Sequence, residues 1–259
     1  MMKKIKFSFL FTKSLFFLPI LLFFSAQFGW AIPDEEIHRK QGELQGKRVG
    51  ERIAFWAERF VGTPYDEDPK GDYVSRAVIA ADEKVDCMYL SFRAVELALS
   101  RNPEEAVQIA LQKRFHSRGI LKDGKVINYD ARFEYGEDMI HSGKWGKEIT
   151  FQMGRTIRIK GSRGRDFWEI LPSAELIRGM AKLKSGDLIF FMKFPEKRMV
   201  DEGVGHIGFV KTEESAGKRE VFLIHASGLK NKGGAVKKVL LRDYIDKMPF
   251  VGVKITRFE

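Results

Sequence analysis

The chain of 259 residues contains one cysteine, eight prolines and no run of five or more basic residues. One cysteine excludes an internal disulfide and a cysteine-built zinc or iron–sulfur centre, so the thiol is either inert core filler or a group used alone. Internal repeats, low-complexity linkers and H-E-x-x-H or C-x-x-C spacings are also missing, and no cofactor or resident metal is expected. What is present suffices for a core. Hydrophobic residues make up 44% and charged residues 31%, a balance that excludes wholesale disorder and fibrous repeats.

Charge is unevenly spread. Lys+Arg number 45 against 35 Asp+Glu, a net +10, and four of the lysines fall within residues 1–31, which hold no acid. There Lys3, Lys4 and Lys6 precede an apolar run over residues 15–24, and the stretch ends Gly29-Trp30-Ala31. The pattern reads as a signal peptide (1–31) cleaved after Ala31, which makes the protein exported, periplasmic or secreted. The alternative is an uncleaved anchor, because residues 15–31 approach the roughly 20 apolar residues of a spanning helix. Membrane contact is expected through that segment only. Cleavage takes the charge from +10 to +6 over residues 32–259. So modest an excess, without aromatic-basic interleaving, argues against a nucleic-acid partner and leaves a mild attraction to polyanions such as wall polymers or lipid head groups.

Residues 32–48 are polar and read as a lead-in segment or short polar helix. From Val49 onward, Ile53, Phe55, Trp56, Phe60 and Val61 recur at helical spacing until Gly62-Thr63-Pro64 stops the pattern. A loop over 65–73 leads towards a second helix opened by Asp86-Cys87, and Asn102 with Pro103 starts a third. The middle, 116–168, is mixed, with β-like runs at 125–127 and 156–159. Beyond a short helix over 174–180, apolar runs at 187–191, 205–210, 221–226, 236–241 and 251–258 predict a meander of strands. A charged hairpin over 211–220 joins the second run to the third, and a short helix falls near 242–247. Helices first and strands after them predict an α+β fold in one domain, residues 49–259.

Cys87 stands at a predicted helix start, where backbone N–H groups and the helix dipole favour a thiolate and predict a thiol pKa well below about 8.5. His206 lies between Gly205 and Gly208 at a strand start, and His225 follows 19 residues later in the next strand. If those strands pair antiparallel, the imidazoles stand side by side, with the glycines leaving room for a substrate backbone. The pattern then reads as a thiolate on a helix N-terminus, an imidazole base facing it and a polar orienter one strand over, His225 or the competing Ser227. Taken singly, each histidine is equally a strand-end or core residue, and Cys87, His206 and His225 form a zinc set on paper. His38, His116 and His141 lie in polar stretches and are expected at the surface.

Taken in order, Gly62-Thr63-Pro64-Tyr65, Val85-Asp86-Cys87, Ser185-Gly186-Asp187-Leu188-Ile189-Phe190-Phe191, Gly205-His206-Ile207-Gly208-Phe209-Val210 and Leu223-Ile224-His225-Ala226-Ser227 resemble the motifs of the NlpC-type bacterial cell-wall cysteine peptidases and amidases. The likeness spans residues 49–258. The 119 residues from Cys87 to His206 are similar to the spacing in the N-acetylmuramoyl-L-alanine amidase-like branch, which carries a large insertion there, and residues 130–140 and 146–150 resemble its insertion motif. The resemblance implies a papain-like core with N-terminal helices packed on an antiparallel sheet or half-barrel, and an inserted subdomain over about 116–170. It further implies that Cys87 attacks an amide carbonyl, His206 takes the thiol proton and His225 orients His206, while the Cys87 N–H and the Tyr65 hydroxyl stabilise the oxyanion. Asp86 is expected to cap the helix, and Arg132, Tyr135 and Asp138, with Ser227, are candidates for holding substrate. The implied partner is peptidoglycan or a muropeptide, met by a monomer and cut between the lactyl group and L-alanine. A γ-D-glutamyl-diamino acid bond and a catalytically silent wall-binding scaffold are the alternatives.

Overall fold

The computed structural model describes residues 31–215, 217–230 and 232–259, so all of the expected signal peptide but Ala31 lies outside the described residues. The polar lead-in folds as α1 (Asp34–Leu44), with Asp34, Glu35 and Glu36 in the first turn, where carboxylates complement the helix dipole. Its apolar contribution is small, Ile37 being buried beside Gln41. Helix α2 (Val49–Arg59) buries Ile53, Ala54, Trp56 and Ala57 along one stripe. Within the expected loop a single turn forms, α3 (Asp72–Ser75).

Helix α4 (Cys87–Leu99) differs from its neighbours because every residue from 89 to 98 is buried, Arg93 and Glu96 included. A buried charge needs a partner. The Arg93 guanidinium donates to the Asp82 carboxylate at 2.8 and 2.9 Å, and both Glu96 oxygens accept from Arg114 at 2.6 Å. Arg114 closes the next helix, α5 (Pro103–Lys113), whose start is capped as expected, with the Asn102 side chain accepting the Glu105 N–H at 2.7 Å.

After a small hairpin of β1 (Leu121–Lys122) and β2 (Lys125–Val126) come α6 (Gly136–Ser142), β3 (Lys147–Glu148), α7 (Thr150–Met153), β4 (Ile157–Lys160), β5 (Phe167–Pro172) and α8 (Ser173–Gly179). The C-terminal part runs β6 (Leu188–Lys193), β7 (Val204–Ser215), β8 (Lys218–Leu229), β9 (Gly233–Leu240), α9 (Leu241–Lys247) and β10 (Phe250–Arg257). One antiparallel sheet takes the order β4-β5-β10-β6-β7-β8-β9, with β3 also paired to β10.

The mixed α+β class expected from the sequence is what the chain adopts, with two departures in detail. The expected charged hairpin at 211–220 is mostly strand, the ladder continuing through Lys211↔Phe222, Glu213↔Glu220 and Ser215↔Lys218. The last strand, β10, does not close a meander at the edge; it lies between β5 and β6. An exposed β10 edge would leave a row of backbone groups unpaired. Segment 116–170 covers that edge by supplying β3, β4 and part of β5, so it is built into the main sheet rather than standing apart as a subdomain.

The sheet is covered on both faces. Leu188, Phe190 and Met192 of β6 join the core that contains Trp56, Leu90 and Phe92, whereas Ile189 and Phe191 join a second core with Leu171, Val210, Leu223, Leu241 and Val253. A strand buried on both faces carries no alternation, which is why these strands read as continuous apolar runs.

Candidate active site

The Asp86 carboxylate accepts the Tyr89 N–H at 2.8 Å, which makes Asp86 the cap of α4 and Cys87 its first residue. The approach to the cap is a strap of backbone bonds. Val85 N–H donates to Pro64 at 3.0 Å, Asp66 N–H to Val85 at 3.1 Å and Tyr65 N–H to Gly234 at 2.9 Å. The strap lays the Tyr65 ring against Gly228, where any Cβ would come within 2.2 Å of it. Lys230 fastens the same corner, donating to the Asp66 and Asp68 carbonyls at 2.9 and 2.6 Å, 3.4 Å from the Asp86 carboxylate and 5.6 Å above the Tyr65 ring.

His206 is aimed by an irregularity in its strand. Phe191 pairs with His206 but Met192 pairs with Val204, so Gly205 is an extra residue, a bulge of the kind that redirects the side chain beside it. On the other side, Phe209 pairs with Ile224, and continuing that register sets Gly208 opposite His225 and leaves the two histidines diagonal on one face. A Cβ on Gly208 would lie 3.1 Å from the His225 Cβ and 2.7 Å from Leu223. Gly208 therefore makes room for His225, and Gly205 packs on Lys193 and Phe250; neither opens a path for a substrate backbone as the sequence reading expected.

The result is a direct contact: His206 Nε2 lies 2.8 Å from His225 Nδ1, with the rings at 86°. Ser227, which the same register sets opposite His206, is not that partner. Tyr244 of α9 sets its ring 4.8 Å from His225 and 6.3 Å from His206, and Phe250 stacks near-parallel over His206 at 6.5 Å. The backbone N–H of Ile207, the residue after His206, acts on the Cys87 thiol and favours its charged form. The thiol thus lies near the stretch of β7 that carries His206.

Burial sets the charge state. It pushes the Cys87 thiol up to about 12, with the Asp86 carboxylate adding to the rise and the Ile207 N–H and Lys230 opposing it. Burial also takes His206 down to about 3, helped by His225, and His225 down to about 4, helped by Lys237. The low thiol pKa expected from the helix start is reversed, because loss of water around the sulfur outweighs the helix dipole. The resting site is a neutral thiol beside neutral imidazoles. Tyr65 and Tyr244 are both raised, first by burial and next by the charge of Cys87.

Arg132, Tyr135 and Asp138 gather on the stretch leading into α6. Asp138 accepts the Glu134 and Tyr135 N–H groups at 3.0 Å, Arg132 pairs with Glu134 at 3.0 Å, and the Tyr135 ring lies 4.0 Å beneath Arg163. The two residues between Tyr135 and Asp138, Gly136 and Glu137, tie this cluster to the start of β7. A Cβ on Gly136 would sit 2.5 Å from Val204, and the Glu137 carboxylate, 1% exposed, accepts the Gly203 N–H and the Ser162 hydroxyl. Glu137, Tyr244 and Lys230 escaped the sequence reading because each sits in an ordinary polar or amphipathic stretch and gains its partners from distant segments. His38, His116 and His141 are exposed, as expected.

No family model matches the chain, and no curated protein matches it. Solved structures do. The chain is similar to an N-acetylmuramoyl-L-alanine amidase from Bacteroides uniformis at 19% identity and a TM-score of 0.60, with 82% of this chain and 99% of that one covered. A Legionella pneumophila protein of the DUF1460 family overlays at 17% identity and a TM-score of 0.62, covering 86% and 93%. At these identities the likeness is one of fold, and it takes in nearly the whole of each of those chains.

Proposed function

We propose that the protein is an exported cysteine hydrolase of papain-like type that cleaves an amide bond in peptidoglycan or muropeptides, between the lactyl group and L-alanine. The observation that carries this reading is the contact of His206 Nε2 with His225 Nδ1 at 2.8 Å, on a strand whose next N–H acts on the Cys87 thiol. With Nε2 engaged by His225, the other ring nitrogen of His206 is left for the thiol. For Nε2–H to donate, His225 must carry its own proton on Nε2. The choice of bond draws support from the solved relative whose name states that activity, and export from residues 1–31.

In the proposed reaction Sγ attacks the amide carbonyl as its proton passes to His206, and the Cys87 N–H with the Tyr65 hydroxyl holds the oxyanion. His206 then returns the proton to the departing L-alanine nitrogen, leaving a lactyl thioester on Cys87. Water, deprotonated by His206, hydrolyses the thioester and frees the thiol. A glycosidase would need paired carboxylates at the reacting bond, whereas the nearby Asp86 is engaged in capping α4.

The test is mass spectrometry of defined muropeptides digested with residues 32–259, wild type against Cys87→Ala. The expected products are a free lactyl carboxylate and a peptide beginning with L-alanine, absent with the variant. A new amine on the diamino acid would instead identify the γ-D-glutamyl bond. No cleavage while Cys87 is reduced would sink the hydrolase reading.

A further inference from the structure

A cavity of about 820 Å³ opens where the junction of α1 and α2 meets the far ends of β7 and β10. Its Lys211 and Thr212 stand five and six residues beyond His206 along β7, roughly 17–20 Å at the rise of a strand, and none of the thiol-site residues lines it. The volume is in the range of sites that hold a small molecule. Phe55 and Phe258 supply an apolar wall, and six cations, Lys47, Arg48, Lys184, Lys211, Arg219 and Arg257, line the rest.

Four of these cations already meet a carboxylate. Arg48 lies 2.6 Å from Glu51, Lys211 2.8 Å from Glu58, Arg257 2.6 Å from Asp187 and Arg219 3.9 Å from Glu214. Among the described residues, Lys47 and Lys184 form no ion pair, although the charge of Lys47 acts on Glu51. The remaining acid of the lining, Glu259, is exposed and acts on Arg257.

The two lysines come from separate segments, and a backbone approach that only glycine permits brings those segments together. A Cβ on Gly50 would sit 2.5 Å from the Ser185 carbonyl oxygen, and one on Gly186, at φ +88°, would sit 2.2 Å from that of Gly50. Ser185 is held in turn by Thr212, through its N–H and its hydroxyl, each at 2.9 Å. The turn carrying Lys184 is therefore anchored to β7, against the start of α2.

We propose that this groove binds a phosphate monoester borne on a small polyol or sugar. Two unpaired ammonium groups match the charge of a dianion, whereas a carboxylate would satisfy only one of them; the arginine forks offer further donors to phosphate oxygens. Phe55 and Phe258 give the uncharged body a face to lie on. A soluble phosphate ester and a lipid head group share this chemistry, and the site is independent of the thiol reaction.

Calorimetry and amide NMR of the whole protein at low ionic strength, with glycerol 3-phosphate and separately with phosphatidic acid vesicles, test the proposal against acetate as control. Glycerol 3-phosphate is expected to bind, to move the amides of Lys47, Lys184, Ser185 and Thr212, and to lose at least about tenfold in affinity in Lys47→Gln/Lys184→Gln. Binding to vesicles alone, with the same loss in the variant, assigns the site to a lipid head group. Failure of both probes, equal binding of acetate, or affinity unchanged in the folded double variant overturns the proposal.

Discussion

The Glu137 carboxylate accepts the N–H of Gly203 across 66 residues of sequence, and Gly203 stands three residues before His206 and two before the bulge at Gly205. Stretch 116–170 therefore braces the strand that carries the candidate base. Glu137→Ala should lower kcat on muropeptides about 10- to 100-fold with KM little changed, because small displacements of a reacting group are costly. Glu137→Gln keeps an acceptor oxygen and should stay within a few-fold of wild type. The ring-nitrogen NMR signals of His206 should move in the first variant only; equal losses in both variants would remove the brace.

Alkylation reads the thiol directly. With Cys87 pushed up to about 12, the thiolate fraction grows tenfold per pH unit across neutral and mildly alkaline pH, and the rate with iodoacetamide should climb in step without a plateau below about pH 10. A plateau near neutrality would mean that a thiolate–imidazolium pair already exists at rest.

Stability should have a pH window set by the same groups. His206 and His225 are held down to about 3 and about 4, against about 6.5 when unfolded. The unfolded chain binds protons that the folded one refuses, so stability is lost as pH falls from about 6.5, at up to about 1.4 kcal/mol per pH unit for each buried histidine. Cys87 acts at the other end: folded protein keeps its proton to about 12, the unfolded thiol releases it near its ordinary value, and stability falls as pH rises beyond about 9. Urea midpoints measured across pH should show a shallower acid limb in His206→Gln and a shallower alkaline limb in Cys87→Ala. Limbs as steep as in wild type would contradict the assignment.

Behind the thiol, Glu96 and Arg114 are 0% and 1% exposed. Glu96→Ala leaves the Arg114 charge buried without its partner and should cost about 3–5 kcal/mol in denaturant unfolding. Replacing both, as Glu96→Leu with Arg114→Met, should recover much of that loss. A double variant no more stable than the single would mean that the Arg114 contacts to Ile79 and the surrounding rings matter more than its charge pairing.

Local chemistry was readable in one dimension. Asp86 ahead of Cys87 and Asn102-Pro103 ahead of α5 announce helix starts because a cap and its amide lie three residues apart, and the apolar runs announce strands because both sheet faces are buried. The mixed α+β class and the candidate trio Cys87, His206 and His225 follow from such signals and their order. Relations between distant segments could not be read in this way. The side-chain contact of His206 falls on the diagonal His225, and not on Ser227, which the continued register sets opposite it; the bulge at Gly205 needed β6 to define it; β10 found its place between β5 and β6 only when segment 116–170 supplied β5. The single cysteine shows the divide most plainly. Its helix start is local and favours a thiolate, yet the groups that exclude water from it come from residues far along the chain, and their combined burial reverses the sign of its pKa shift.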